Sequence, residues 1–278
     1  MNSERTYCSD LSRAANETML GTADRVDVWI MVEYKSVWKP KAVIDNDLPV
    51  SIQQWLVNSQ DRCRETALKP RLQLIRQPQV EAELTTVMVH REGRLNVRKC
   101  RTQEEITSID VLSDDSFDEC LEPQYFVCTN GQRDLCCARF GLPTFKKLSE
   151  AVGERVWQTT HLGGHRFAPN VLALPQGVLY GRVDAKDVTQ FLDLTELGRL
   201  SKIHVRGRSA FDPSAQVAEL AIEEEILDIV TTDDSEVRFH TTHGIKSVKI
   251  NKTQEPIAVI ASCGDEKTKD IFPLTAQK

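Results

Sequence analysis

The sequence predicts an α/β protein in which two halves of similar element order are followed by a smaller α+β segment. The chain has 278 residues, of which 40% are hydrophobic and 27% are charged, and this composition is typical of a folded protein with a sizeable core. Strand-like and helix-like patterns alternate along residues 26–112 and recur in the same order along residues 124–194. Both stretches read β-α-β-β-β-α, which favours the mixed α/β class.

The first half begins with a strand at Val26–Tyr34, where bulky residues on both faces indicate burial. A helix is predicted at Ser51–Glu65 because its apolar residues recur at helical spacing. The remaining elements are a strand at Arg71–Arg76, a hairpin made of Thr85–Arg91 and Arg94–Arg98, and a weakly helical stretch at Gln103–Leu112.

An acidic, apolar-poor stretch at Ser113–Glu122 is interpreted as an exposed linker before the second half. The second half is predicted to contain strands at Gln124–Cys128 and Arg155–Thr160, a helix at Pro143–Val152, a hairpin of Val171–Leu174 and Val178–Arg182, and a helix at Asp187–Leu194. A long helix at Ser214–Val230 and three short strands after residue 236 follow. We therefore predict domains at residues 1–115, 116–198 and 199–278, the last an α+β appendage.

A β-α-β unit followed by a hairpin and a helix is the order of the thioredoxin-like fold, whose second unit starts just after a proline. Pro169 lies at this position, shortly before the Val171 strand. A cis bond before Pro169 is therefore a hypothesis. Two thioredoxin-like halves are the predicted architecture.

Charge and hydropathy argue against two classes of partner. Lys and Arg number 35 against 41 Asp and Glu, a net charge of −6, so we expect no nucleic-acid partner and no membrane partner. The chain has no apolar run near the roughly 20 residues that span a bilayer. Its start, Asn2–Arg5, is polar, unlike a secretory signal. We expect a cytoplasmic protein whose eight cysteines are thiols rather than disulfides.

Two pairs of residues in the second half suggest a metal centre. Cys128 and Cys137 form C-x8-C, with Cys136 as the alternative second sulfur, and His161 and His165 form H-x3-H. Two thiolates and two imidazoles suit Zn²⁺ or an iron–sulfur cluster. The cysteine spacing is longer than that of a zinc knuckle, and Gly163-Gly164 argues against the helical histidine pair of zinc hydrolases.

The segments CTNGQRDLCCARFG (residues 128–141) and VWQTTHLGGHRFAPNVLALPQGVLYGRV (residues 156–183) resemble the sucrase/ferredoxin-like family, whose members are similar to thioredoxin-like [2Fe–2S] ferredoxins. The stretches CSDLSRAANETMLGTADRVDVWIMVEY and RGRSAFDPSAQVAE also resemble this family. The resemblance implies a ferredoxin-like second half with a [2Fe–2S] cluster on Cys128, Cys137, His161 and His165. Cys136 leaves the choice of the second sulfur open.

The resemblance predicts an electron-transfer protein with a redox partner protein and no catalytic residues. Histidine ligands raise the reduction potential of such a cluster and permit proton coupling. A structural zinc protein is the alternative, and a thiol oxidoreductase using Cys136-Cys137 is a weaker one because C-x-x-C is absent. Sugar cleavage is not supported, because no paired carboxylates stand in a suitable context.

Other candidate residues receive simpler interpretations. Single cysteines are usually small buried hydrophobes, and we expect this of Cys63, Cys100, Cys120 and Cys263. Cys8 is expected to pack near the interface of the halves without binding metal. Arg133, Asp134 and Arg166 either orient the metal-site loops or are surface charges. His240 and His243 are expected to bind no metal.

Overall fold

A computed structural model describes residues 6–81, 83–113, 115–233 and 235–277. The polar start at residues 2–5 and residue 114 of the predicted linker lie outside these ranges. The helices are α1 (Cys8–Ala14), α2 (Val50–Glu65), α3 (Gln103–Thr107), α4 (Leu135–Val152), α5 (Val188–Thr195) and α6 (Pro213–Glu219). No described helix is long and apolar enough to cross a membrane.

The strands of the two halves are β1 (Val28–Glu33), β2 (Pro70–Arg76), β3 (Thr85–Arg91), β4 (Arg94–Cys100), β5 (Asp118–Glu119), β6 (Gln124–Cys128), β7 (Val156–Thr159), β8 (Val171–Leu174) and β9 (Val178–Tyr180). The later strands are β10 (Val205–Arg208), β11 (Ile226–Thr232), β12 (Glu236–Thr241), β13 (Gly244–Lys252), β14 (Ile257–Val259), β15 (Lys269–Ile271) and β16 (Leu274–Gln277).

A single ten-stranded sheet, in the order β10-β9-β8-β6-β7-β2-β1-β3-β4-β5, runs through both halves. In the first half β1 pairs in parallel with β2 and antiparallel with β3. In the second half β6 pairs in parallel with β7 and antiparallel with β8. Antiparallel pairing of β2 with β7, with Ile75 opposite Thr159, joins the two halves. The α/β architecture of two similarly ordered halves is confirmed.

The core follows from the alternation of side chains along the central strands. On β1, Val28 and Ile30 pack beneath α2, whereas Trp29 and Met31 point to the opposite face. On β6, Val127 packs towards the second half's helices, whereas Phe126 and Cys128 join Trp29 and Met31. The two halves therefore share one apolar cluster, and Cys128 lies in it.

Helix α4 begins at Leu135, eight residues before the predicted start at Pro143. Asp134 explains the difference, because its carboxylate accepts a 2.9 Å hydrogen bond from the backbone N–H of Cys136 and caps the helix. Pro143 lies inside the helix and does not begin it. Cys136 and Cys137 consequently belong to a first helical turn instead of a loop.

The predicted helix at Ser214–Val230 is wrong beyond its first turns. Helix α6 ends at Glu219, and Ile226–Thr232 is a strand that pairs with β12. Its β-branched residues favour extended structure, and the pairing supplies the backbone hydrogen bonds. Strands β11, β12, β13 and β16 form a separate sheet.

Two local predictions also have clear outcomes. The bond between Ala168 and Pro169 is cis, as hypothesised, and the bond between Leu174 and Pro175 is cis as well. The predicted linker contains the short strand β5, which pairs with β4.

Strand β10 lies beyond the predicted boundary at residues 198–199 and yet pairs with β9. The domain boundaries themselves stay a prediction.

Candidate metal centre

The predicted ligands lie at one end of the parallel pair β6 and β7. Cys128 is the last residue of β6, and Cys137 lies in the first turn of α4, which follows that strand. His161 comes two residues after the end of β7, and His165 opens a short 3₁₀ turn. Parallel neighbours end at the same edge of a sheet, so both pairs of residues are brought to this edge.

Three of the four side chains meet there, and the fourth, His165, lies beside His161. The Sγ atoms of Cys128 and Cys137 and a ring nitrogen of His161 lie within 4.8 Å of one another. The ring centroid of His165 is 4.9 Å from that of His161. Residues from two separate stretches of the chain, 128–137 and 161–165, therefore surround one small volume.

Cys136 points elsewhere, although it precedes Cys137 directly. Its Sγ belongs to a different group, which contains Cys8, Asp134 and Cys263. Successive residues of a helix project about 100° apart, so neighbouring cysteines in a first turn cannot serve one small site equally. The geometry thus places Cys137, and not Cys136, beside Cys128.

The site has a buried sulfur side and a half-buried nitrogen side. Cys128 and Cys137 are at most 1% exposed, whereas both histidines retain partial exposure. The Nδ1 atoms of His161 and His165 are buried and have no hydrogen-bond partner among the described residues. An unpaired buried nitrogen costs about 1–3 kcal/mol. A ring nitrogen of His161 beside two thiols, with the ring of His165 next to it, forms a donor set that fits a metal centre.

The protonation states also suit metal binding. A hydrogen bond from the Cys137 thiol, together with the nearby His161, holds the pKa of Cys128 well below its usual value. The same contact raises the pKa of Cys137. Burial lowers the pKa of His165. Cys128 is thus favoured as a thiolate and His165 as a neutral imidazole, the forms that bind metal, whereas Cys137 must lose its proton when a metal binds.

Four side chains, of which Arg71 is half-buried and the other three are buried, hold the histidine loop in place. Arg71 Nη2 and Gln73 Nε2 donate hydrogen bonds of 2.9 and 3.2 Å to the carbonyl of His161. Arg206 Nη1 donates to the carbonyl of Gly163 at 2.9 Å, and Asn170 Nδ2 donates to that of Gly164 at 2.9 Å. Sequence reasoning missed this support, although Arg206 belongs to the RGR stretch that the family resemblance included.

Gly163 and Gly164 adopt positive φ values of 86° and 64°. A Cβ atom at Gly163 would approach the Asp24 carboxylate, and one at Gly164 would approach the Arg206 guanidinium. Both the backbone conformation and the available space therefore require glycine between the two histidines.

The flanking charged residues divide into two kinds. Asp134 is buried, and its Oδ2 atom lies 3.8 Å from His165 Nε2. Arg166 forms a 2.8 Å ion pair with the buried Glu17, and Arg133 is exposed. Of the three, Asp134 touches a predicted ligand.

The family model described as sucrase/ferredoxin-like matches residues 19–207, more than half of the chain. The chain belongs to the sucrase/ferredoxin-like family. The match includes all four predicted ligands and ends before Cys263, and it begins after Cys8. The family assignment thus covers the candidate metal centre and leaves both ends of the chain outside.

Individual relatives resemble shorter parts of the chain. Altered inheritance of mitochondria protein 32 from Meyerozyma guilliermondii is 30% identical over 99 residues, which are 32% of this chain and 34% of that protein. The chain thus spans about a third of the length of this curated relative.

Solved structures of a thioredoxin-like [2Fe–2S] ferredoxin from Aquifex aeolicus are similar to part of the chain. The first is 21% identical with a TM-score of 0.27, and the match covers 31% of this chain and 91% of the ferredoxin. Its Cys55Ser variant matches with the same identity and TM-score over 30% of this chain and 96% of that one.

Proposed function

We propose that this protein binds a [2Fe–2S] cluster through Cys128, Cys137, His161 and His165 and carries single electrons between redox partner proteins. The convergence of two buried thiols with the His161 imidazole, next to the ring of His165, supports this proposal above all, because the Nδ1 atoms of both histidines have no partner among the described residues. Membership of the family supports it as well. A bound cluster of this ligand type supplies one-electron redox chemistry at a potential raised by its imidazole ligands.

The surroundings of the histidines suit a carrier that must approach a partner. A cavity of about 240 Å³ opens beside His161, lined by Pro40–Ile44, Asn130, Arg133 and Thr160. Ile44 is 81% exposed at its rim. Cys128 and Cys137, in contrast, are buried in the apolar cluster that the two halves share. We place the contact with redox partner proteins at this cavity because the histidine side is the accessible side of the centre.

Proton coupling is part of the proposal. If Nδ1 of His165 binds metal, the proton of that ring is held at Nε2, 3.8 Å from the Asp134 carboxylate. The side chain of His165 is 14% exposed, so this proton can exchange with solvent. We expect the midpoint potential to fall as pH rises, with a limiting slope of about 59 mV per pH unit for one proton and one electron. A potential that is constant from pH 5 to pH 10 would remove this part of the proposal.

The ligand assignment is tested with single variants of the full chain. We expect Cys128→Ser, Cys137→Ser, His161→Ala and His165→Ala to lose the visible absorption of the anaerobically purified protein, because each variant removes one donor. Cys100→Ser and His243→Gln are the controls, since Cys100 is a buried cysteine of the first half and His243 is exposed. Unchanged spectra in the ligand variants would exclude the assignment.

The same variants separate the alternative functions. One zinc ion per chain at this site with no visible absorption would favour a structural zinc protein. A dithiol reaction that survives replacement of both histidines would favour a thiol oxidoreductase.

A further inference from the structure

A second group of sulfur atoms lies on the other side of the α4 N-terminus. Cys8 comes from the start of α1, Cys136 from the first turn of α4, and Cys263 from the segment after β14. The three Sγ atoms are 3.5 Å (Cys8 to Cys136), 3.3 Å (Cys136 to Cys263) and 3.6 Å (Cys263 to Cys8) apart. They form a nearly regular triangle of free thiols.

A carboxylate completes a four-donor set. Asp134 Oδ1 lies 3.9 Å from Cys8 Sγ, and one ligand atom from each of the four residues lies within 4.8 Å of the others. Backbone N–H groups of Cys136 and Cys263 each donate to this carboxylate at 2.9 Å, as does the hydroxyl of Ser262. The position of the carboxylate is therefore fixed before any ion binds.

The dimensions suit one small ion. Sulfur atoms bound tetrahedrally to Zn²⁺ at about 2.3 Å stand about 3.8 Å apart. The observed separations of 3.3–3.6 Å need only a slight expansion to reach this value. A thiolate-rich, four-donor set selects zinc among the common divalent cations.

The group is also shielded from water. Cys8, Cys136 and the Asp134 side chain are at most 1% exposed, and Cys263 is half-buried. Apolar residues pack around the sulfurs, among them Ala168, Tyr7, Phe140 and Ile260. A closed, four-coordinate site without room for a substrate is typical of structural zinc.

We propose that Cys8, Cys136, Cys263 and Asp134 bind a structural Zn²⁺ ion. Binding releases the thiol protons to solvent and joins three segments that are distant in the chain, since Cys8 and Cys263 are 255 residues apart. The ion joins α1 and the C-terminal segment to the first turn of α4. In that turn the residue after Cys136 is Cys137, which belongs to the candidate cluster site. Cys8 and Cys263 lie outside the residues matched by the family, so this donor set differs from that of the proposed cluster, although its Asp134 also lies 3.8 Å from His165 Nε2.

The adjacent cysteines provide a matched test in the full chain. We expect anaerobically purified wild-type protein, produced with zinc in the medium, to contain one zinc ion per chain by plasma mass spectrometry. Cys136→Ser should lose at least nine-tenths of this zinc and keep the iron, whereas Cys137→Ser should keep the zinc and lose the iron. Cys63→Ser is the control for a buried cysteine far from both sites.

A second variant guards against misfolding of the first. Cys263→Ser changes a half-buried residue of the C-terminal segment and should also lose zinc with the visible spectrum unchanged. Wild-type protein with less than a tenth of a zinc ion per chain, or a disulfide among these three cysteines in the anaerobic protein, would overturn the proposal. Zinc lost in Cys137→Ser and retained in Cys136→Ser and Cys263→Ser would also overturn it, because the ion would then occupy the first site.

Discussion

The guanidinium of Arg206 donates a 2.9 Å hydrogen bond from Nη1 to the carbonyl of Gly163, which lies between the two candidate histidine ligands. Nη1 also donates to Asn170 Oδ1 at 2.9 Å, and Nη2 donates to the carbonyl of Thr22 at 2.6 Å. Arg206 is 1% exposed, and burial lowers its pKa to about 10. A residue on the edge strand β10 thus fixes the backbone of the histidine loop.

Replacing Arg206 should destabilise the protein. Arg206→Met leaves the carbonyls of Gly163 and Thr22 without their donor, and Arg206→Lys keeps the charge without the planar fork of donors. We expect each variant to lower the free energy of unfolding by about 3 kcal/mol in urea titrations, because unpaired buried acceptors cost about 1–3 kcal/mol each. Arg199→Lys, at an exposed position, should change it by less than about 0.5 kcal/mol. Wild-type stability in Arg206→Met would refute this role.

The contact between α4 and β6 leaves no room at Gly141. A Cβ atom there would overlap the carbonyl of Cys128, so Gly141→Ala must push the helix away from the strand. We expect a loss of about 1–3 kcal/mol in the free energy of unfolding, as for other overpacked positions. Because Cys137 lies on this helix and Cys128 ends this strand, bound iron should fall as well.

The neighbouring residue supplies the comparison. Leu142 is 45% exposed on the same helix, so Leu142→Ala should cost less than Gly141→Ala and leave the iron content unchanged. If Gly141→Ala unfolds at the wild-type urea concentration, the close packing of α4 on β6 does not matter for stability.

Stability should fall in acid because of buried neutral histidines. His90 Nε2 lies 2.7 Å from the carbonyl of Pro175 and must donate to it, while Nδ1 is buried without a partner among the described residues. Burial lowers the pKa of His90, and it does the same for His165 and His204. As pH falls below about 6.5, the unfolded chain binds protons first, so the free energy of unfolding decreases.

The contribution of His90 can be isolated with His90→Gln, whose amide N–H can still donate to Pro175. One such group contributes a slope of up to about 1.4 kcal/mol per pH unit, and we expect the variant to lose that part of the decrease between pH 6.5 and pH 5. Unfolding curves measured across this range provide the readout, with His243→Gln as the exposed control. An unchanged slope in His90→Gln would show that His90 is not the group responsible.

Local patterns predicted the central strands of the two halves well, because the apolar residues that bury such a strand are consecutive in the sequence. Val171–Leu174 has the predicted bounds, and the hairpin of β3 and β4 follows the glycine turn. The start of α4 was missed because Pro143 is a strong helix-start signal, whereas the cap at Asp134 depends on a single hydrogen bond. Ser214–Val230 was misassigned because periodic apolar residues fit a helix until a partner strand is known.

The site was predictable where the motif is compact and unpredictable where contacts are distant. The two motifs contain Cys128, Cys137 and His161, whose donor atoms lie within 4.8 Å of one another, and His165, whose ring lies beside that of His161. The sequence left Cys136 open because only the start of the helix determines which sulfur faces Cys128. Cys263 was expected to be a small hydrophobe, since nothing local places it 3.3 Å from Cys136.

The most direct test of the proposed cluster is the content of iron and acid-labile sulfide in anaerobically purified wild-type protein. Two iron atoms and two sulfide ions per chain are the predicted result, accompanied by visible absorption that bleaches on reduction. A colourless protein that contains neither iron nor sulfide after expression with ample iron would contradict the account.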